Sequence, residues 1–507
     1  MGFKVSSLWR EPEINPVNQK AKTIPFFNPF NIYGRVFLLS WWGFFVAFWS
    51  WYAFPPLLTV TIKQDLKLSQ VDIANSNILS LTATLIVRLS AGTACDTFGP
   101  RWTFVFLLLA GAIPTALAGT VTNASGLIAV RFFVGILGGT FIPCQVWTTG
   151  FFDKSTVGAA NSLAAGLGNA GGGITYFLMP AIFDSLVSRQ GMTPHTAWRV
   201  TFVVPFILIV ATALAMILSC PDTPTGRWSS RRLAVEQRLA TRDTFLSTVA
   251  HPKGSSTGHD SLNTSDDKVE IHPVRGRHGA GAADAEQDLL EAASWELVEK
   301  PTYHGSTKAV VSLPTLTLIV VYFCSFGAEL SINSVLGAYY LQNFPYLGQT
   351  GSGNWAAMFG ILNAVCRPAG GIISDFIYRK TRSLWGKKIL VHLFAFLQGT
   401  FLIIIGFMNP TSEATMFGLM AGLAFFIEAG NGACFSLVPH VHPTSNGLIT
   451  GVTGASGNLG GIVFLLVSRY NGTAYGKLFW IIGIVTIAAN LAVSFLRPIP
   501  RNQLGGR

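Results

Sequence analysis

The chain has 507 residues, half of them hydrophobic and only 12% charged, and its mean hydropathy is +0.45. That composition excludes a soluble globular fold, because apolar stretches of the ~20 residues needed to cross a bilayer recur along its length. The net charge of +11 does not mark a nucleic-acid binder, since the basic residues lie in short segments flanking the apolar runs.

Residues 1–35 form a polar, proline-containing tail with Lys4, Arg10, Lys20 and Lys22. No short apolar segment with a small-residue cleavage site is present, so the first run reads as a signal anchor. The apolar runs fall at 36–60, 72–95, 102–121, 126–149, 157–183 and 199–220, then at 312–340, 354–377, 388–408, 415–438, 446–468 and 476–496. The expected fold is therefore an all-α membrane protein of twelve transmembrane helices. A first half (36–220) and a second half (311–497) flank a central stretch (221–310), and 498–507 is a C-terminal tail. Arg101, Arg379, Lys380, Arg382, Lys387 and Lys388 sit in connections on one side. The positive-inside rule makes that side cytoplasmic and places both termini there, in a plasma-membrane protein. Asn123-Ala-Ser and Asn471-Gly-Thr are glycosylation acceptor patterns on the expected outer connections. Asn263-Thr-Ser falls in the cytoplasmic stretch and reads as chance. The central stretch has the composition of a disordered tether, with 229–243 and 284–299 as candidate amphipathic helices and a regulatory segment for cytosolic partners as the sharper reading. All six cysteines lie in or at the ends of the runs, without disulfide or metal spacing.

The second and eighth helices each carry an arginine in an apolar run, Arg88-Leu-Ser-Ala-Gly92-Thr-Ala-Cys-Asp96 and Arg367-Pro-Ala-Gly-Gly371-Ile-Ile-Ser-Asp375. Eight helical residues span about 12 Å, so an Asp at the membrane surface places its Arg near midplane. Burying a guanidinium there costs at least ~2.5–3.5 kcal/mol, which makes each a functional candidate. The halves repeat a second time: Gly166-Leu-Gly168-Asn169-Ala-Gly171-Gly172 in the fifth helix matches Ala455-Ser-Gly457-Asn458-Leu-Gly460-Gly461 in the eleventh. Small residues let membrane helices approach closely. An asparagine among them needs a partner, either backbone or a ligand in a central cavity, and its recurrence favours the cavity. Two arginines and two amides suit planar oxyanions, and equally phosphate.

These segments resemble the nitrate/nitrite porter family of the major facilitator superfamily, particularly its fungal high-affinity nitrate transporters. Ala165 to Gly171 corresponds to the family's A-G-x-G-N-x-G signature, with Leu167 where plant relatives usually carry Trp, and Ala455 to Gly460 is its partner. Gly92-x-x-x-Asp96-x-x-Gly99-x-Arg101 matches the general superfamily motif. The second copy, Gly371 to Asp375 with Arg379-Lys380, is degenerate at Tyr378. The resemblance implies the major facilitator fold of two six-helix halves, rocking about a central site. It implies that Arg88 and Arg367 clamp nitrate, that Tyr322 hydrogen-bonds it, and that Phe48, Phe141 and Phe326 wall it. Asp96, Arg101, Asp375 and Arg379 would latch helices at the cytoplasmic side, and Gly166, Gly168, Gly171, Gly172, Gly457, Gly460 and Gly461 would let helices slide. For each Phe the competing reading is bulk, since the chain has 38.

Nitrate uptake into a cell that is negative inside runs against about 2.3 kcal/mol per 100 mV, so concentrative transport needs more than one proton per nitrate. Proton symport is what the fungal resemblance implies. Glu329 and Glu428 are the acids well inside spans, and each is a candidate carrier or a charge partner for a buried arginine such as Arg131. His440 and His442, at a helix end, suit interface contacts. A nitrate/nitrite exchanger and a nitrate sensor with little flux are the alternatives. No nucleophile–base pair, metal cluster or nucleotide loop suggests an enzyme, a cofactor or a metal.

Overall fold

The computed structural model describes residues 5–15, 18–58, 60–153, 156–230, 303–442 and 445–499. Among them are twelve helices long and apolar enough to cross a membrane: α1 (Ile32–Leu58), α2 (Gln70–Phe98), α3 (Pro100–Thr120), α4 (Ala124–Phe151), α5 (Val157–Ser188), α6 (Pro194–Ser219), α7 (Leu313–Asn343), α8 (Gly351–Thr381), α9 (Leu384–Met408), α10 (Glu413–Val441), α11 (Asn446–Asn471) and α12 (Tyr475–Ser494). The chain is thus a multi-pass membrane protein, and each expected run lies within one helix or overlaps it closely. The candidate amphipathic helices lie outside the described residues, apart from the 3-10 turn Trp228–Ser230, as does Asn263.

Exposed side chains on the flanks are large and apolar, including Ile86, Phe106, Ile113, Leu214, Phe376 and Leu393, as hydrocarbon contact requires. Inside, α2 lies along α11 and α5 along α8, and with α10 on α5 and α11 on α4 these pairs join the first six spans to the last six. Within each set, α1 packs on α5 and α7 on α11.

Two spans are interrupted where the site lies. Residues Gly135–Thr140 of α4 form a 3-10 stretch. Gly135 and Gly138 allow it, because a Cβ on Gly135 would stand 2.3 Å from the Ser80 carbonyl oxygen and one on Gly138 2.5 Å from the Thr84 methyl. Irregular backbone at membrane depth needs partners. Thr84 Oγ1 donates to the Gly135 carbonyl at 2.6 Å, and Arg88 takes that of Gly138. The second interruption is at Leu362, where Gly348–Ile361 gives way to Asn363–Thr381.

The N-terminal segment is not a loose tail. Ala21 donates its N–H to the Phe151 carbonyl and accepts from the Asp153 N–H, while Asn15 Nδ2 donates to Asp153 Oδ2 at 2.9 Å. This strap braces the α4–α5 connection. Lys387 and Lys388, expected in a surface loop, are buried in the first turn of α9. Lys388 satisfies the C-terminal carbonyls of α12, donating to Val493 at 3.1 Å and Ser494 at 2.8 Å, a place where a helix dipole favours a cation.

Candidate functional site

Arg88 and Arg367 are both fully buried, with 0% exposure. Arg88 Nε donates to the Gly138 carbonyl and Nη1 to the Gly454 carbonyl, each at 2.9 Å. The 3-10 turn of α4 and the glycine-rich face of α11 therefore hold one guanidinium between the halves. Asn458 lies one turn beyond Gly454. The amide orientation that satisfies both groups directs its Oδ1 to Arg88, accepting from Nη1 at 3.1 Å and Nε at 3.2 Å. Arg367 Nη1 donates to Asn363 Oδ1 at 3.2 Å, and Nη2 donates to the Tyr322 hydroxyl at 3.1 Å. Both cations lie on one ring: the guanidinium carbons of Arg88 and Arg367 are 5.0 and 5.6 Å from the Phe326 centroid. Arg88 also lies 5.0 Å from Phe141.

Each guanidinium keeps a donor unused, Nη2 of Arg88 and Nε of Arg367. Buried donors left without acceptors are costly, and these two belong to guanidiniums that share the Phe326 ring.

The aromatic wall is built across the halves. Phe141 lies parallel to Tyr322 at 6.4 Å, and Tyr322 stacks on Phe326 at 5.0 Å. Phe435 meets Phe141 and Tyr322 edge-on at 4.7 and 4.8 Å. Phe48 stands one ring further away, 4.4 Å from Phe44, which is in turn 5.4 Å from Phe141. The structure therefore brings Arg88, Arg367, Tyr322, Phe141 and Phe326 together and puts Phe48 behind Phe44.

The two asparagines part ways. Asn458, expected to donate to a ligand, is committed to Arg88, because an amide oxygen beside a buried guanidinium is worth more as its acceptor. Asn169 is 3% exposed with neither amide atom hydrogen-bonded, so it alone of the pair offers an unused amide.

The signature glycines are contact points. A Cβ on Gly168 would fall 1.9 Å from Phe44 and one on Gly171 2.2 Å from the Phe45 carbonyl, both on α1. Their counterparts meet α7: Gly457 would strike Phe326 and Tyr322 at 2.7 and 2.8 Å, and Gly460 the Phe323 carbonyl at 2.1 Å. Gly166 faces α8 in the opposite half, 2.5 Å from the Asn363 carbonyl. Gly172 and Gly461 are less confined, with nearest side-chain atoms at 3.3 and 3.1 Å.

At the end that carries the chain termini, Asp96 accepts from the Gly447 and Leu448 N–H groups at 3.1 and 3.0 Å. Asp375 accepts from the Ala159 N–H at 2.7 Å. Each carboxylate thus caps the first turn of a helix in the other half, α11 and α5, where the dipole favours an anion. Arg101 is a clasp within its own half, donating to Asp222 Oδ1 at 3.0 Å and to the Met216 carbonyl at 3.2 Å. Arg379 is exposed, and the cation on Asp375 is Lys387, at 2.7 Å and fully buried. The expected Asp375–Arg379 latch is corrected accordingly: helical geometry at the end of α8 sends Arg379 outward, whereas α9 returns Lys387 against the carboxylate.

Glu329 Oε1 accepts from Asn363 Nδ2 at 3.0 Å and Oε2 from Asn431 Nδ2 at 2.8 Å, so Asn363 stands between Arg367 and Glu329. Arg131 does not pair with either glutamate; its Nη1 donates to Ser76 Oγ at 2.7 Å and Asn77 Oδ1 at 2.5 Å. His442 Nε2 and Ser312 Oγ are 3.0 Å apart, and His440 Nε2 lies 3.4 Å from Lys387. Sequence reasoning missed Phe435, Phe44 and Asn363. Asn363 had a signal, four residues before Arg367 on one helix face; the two rings had none among so many phenylalanines.

Twelve packed spans enclose a buried, charged site to which both halves contribute, and the relatives mark the protein as a membrane transporter. The model of the Major Facilitator Superfamily matches residues 40–465. Elsinochrome transporter 1 of Elsinoe fawcettii is 36% identical, covering 99% of this chain and 100% of its own. High affinity nitrate transporter 2.5 of Arabidopsis thaliana is 30% identical over 94% of this chain and 82% of its own. The nitrate/nitrite transporter NrtP of Nostoc punctiforme is 26% identical over 92% and 93%. Among solved structures, the proton:xylose symporter XylE shares the fold with a TM-score of 0.61 at 14% identity, over 90% of this chain and 94% of its own. The chain belongs to the Major Facilitator Superfamily, and within it to the nitrate/nitrite porter family that its sequence resembles.

Proposed function

We propose that the chain takes up nitrate, and also nitrite, by proton symport through alternating access, with the anion held between Arg88 and Arg367. The observation that carries this reading is that two buried guanidiniums, one from each half, share the Phe326 ring and each keeps one donor unused. Nitrate is flat, monovalent and weakly hydrated, so it lies against aromatic faces while its rim oxygens accept from Arg88 Nη2, Arg367 Nε and the free Asn169 amide. The bonds that already hold each arginine fix its fork before the anion arrives, which lowers the ordering cost of binding. Phosphate, bulkier and more strongly hydrated, fits such a dry aromatic slot less well. On this reading the protein works in the plasma membrane, and the basic connections support both termini and the central stretch on the cytoplasmic side.

The relative from Elsinoe fawcettii, at 36% identity, supports a second reading in which the cargo is elsinochrome. The zero exposure of both arginines and the close ring stack favour the small anion. The test is labelled nitrate uptake with voltage-clamped current in cells expressing the chain, with outside pH varied. Inward current that grows on acidification supports symport. Uptake that depends on nitrite loaded inside supports exchange. Nitrate binding without flux supports a sensor, and elsinochrome movement without nitrate flux supports the second reading.

A further inference from the structure

We propose that Glu329 of α7 and Glu428 of α10 form the proton site of this transporter, and that Asn363 links it to the anion site at Arg367. The inference rests on the nitrate reading above and extends it to the coupling ion.

Both carboxyls are buried, at 3% and 0% exposure, and Asn431, which donates to Glu329, lies three residues from Glu428 on the same face of α10. Glu329 is supplied with two amide donors, from Asn363 and Asn431. Glu428 has none: both of its oxygens, and Oδ1 of the fully buried Asn431, are without a donor. Three buried acceptors beside a second carboxylate are what a proton remedies. A protonated Glu428 turns from acceptor to donor and can bond Glu329 or Asn431 Oδ1, and two like charges in a dry site are avoided.

The connection to the anion is continuous. Asn363 receives Arg367 Nη1 on its oxygen and gives its Nδ2 to Glu329, so one rigid amide touches both the anion-binding cation and the proton-binding carboxyl. Without a proton the glutamates offset the arginines and weaken the field that draws an anion. With a proton that offset falls and the field strengthens. By linkage each ligand then favours the other. Among the described residues, the charged and titratable groups around the pair are Arg367 and Cys366 on α8, Arg88 on α2, Tyr322 on α7 and Tyr52 on α1. The proton comes from water on one side and leaves to water on the other, with no further reactant.

The test uses the full chain in proteoliposomes and two readouts: accumulation of labelled nitrate driven by a pH gradient, and counterflow of labelled against unlabelled nitrate at equal pH. Glu428→Gln and Glu329→Gln should lower accumulation relative to counterflow by about tenfold, a typical coupling, with Glu428→Asp restoring part of it. An unchanged ratio in both variants overturns the proposal. The wild type provides a second test that needs no variant. Its nitrate affinity should strengthen as pH falls, by about tenfold for a typical coupling; an affinity that does not change with pH overturns the proposal as well. If the wild type moves no nitrate by either readout, it is the nitrate reading itself that fails.

Discussion

Arg88 donates to carbonyls on two helices of opposite halves, and a lysine cannot copy that fork. Hydrogen bonds to charged groups contribute about 1.5–3 kcal/mol each, so Arg88→Lys or Arg367→Lys should reduce nitrate uptake at least about tenfold at unchanged surface level, read by tracer flux. Gly457→Ala places a methyl within 2.8 Å of both Phe326 and Tyr322. It should push the ring stack aside and weaken nitrate binding, whereas Gly172→Ala, with 3.3 Å to its neighbour, should be much milder; a titration of both variants decides. The arginines and these glycines were legible in the sequence because each breaks a compositional rule, a charge or a clustered absence of side chain inside an apolar helix. The split between Asn169 and Asn458 was not, because the shared Gly-Asn-x-Gly-Gly pattern meets different neighbours in the two halves.

At the scale of elements, the latches and the loop network govern stability. Asp375 serves both α5 and the buried Lys387. Asp375→Asn leaves that cation unpaired, a situation that costs about 3–5 kcal/mol, whereas Asp96→Asn loses cap bonds of about 1–2 kcal/mol. Thermal unfolding in detergent should therefore show the larger fall for Asp375→Asn, and adding Lys387→Met should recover much of it. Between α1 and α2, Asp65 accepts from His195 at 2.7 Å, Trp198 at 2.9 Å and Arg199 at 3.0 Å. Burial alone would raise its pKa, but those donors hold the carboxyl below its usual range. A folded carboxyl below its unfolded value stabilises above about pH 4, and that contribution disappears as pH falls through the lowered folded value. Asp65→Asn should thus lower thermal stability near neutrality by about 1 kcal/mol, with the deficit closing in acid.

For the whole molecule, the arrangement is a two-fold repeat whose halves touch toward both ends. Asp96 reaches from α2 to α11, and Asp375 from α8 to α5. Beside them Gly92 approaches the Gly447 carbonyl to 2.5 Å and Gly371 the Ser162 hydroxyl to 2.0 Å, measured from a Cβ in each place. Toward the opposite end, the Tyr176 hydroxyl donates to the Asn333 carbonyl at 3.3 Å. The halves therefore meet at both ends around the arginines, as an occluded carrier does. Loss of one latch should bias the molecule toward opening at the terminus-bearing end. In a variant keeping only Cys95, which is fully buried, Asp96→Asn should raise its alkylation rate several-fold. An unchanged rate would mean that the glycine contacts, and not the carboxylates, hold that end shut.

The sequence by itself determined the spans, their number and the repeat, because hydrocarbon imposes length and polarity on each segment independently of its neighbours. It also determined the two arginines, since a charge at midplane stands out against any apolar background. Only the tertiary structure decided which residues serve them. The 3-10 turn that offers the Gly138 carbonyl, the Phe435 and Phe44 rings, the replacement of Arg379 by Lys387 and the bridge of Asn363 from Arg367 to Glu329 all depend on which helices lie side by side. Spacing along one helix carries no record of the next.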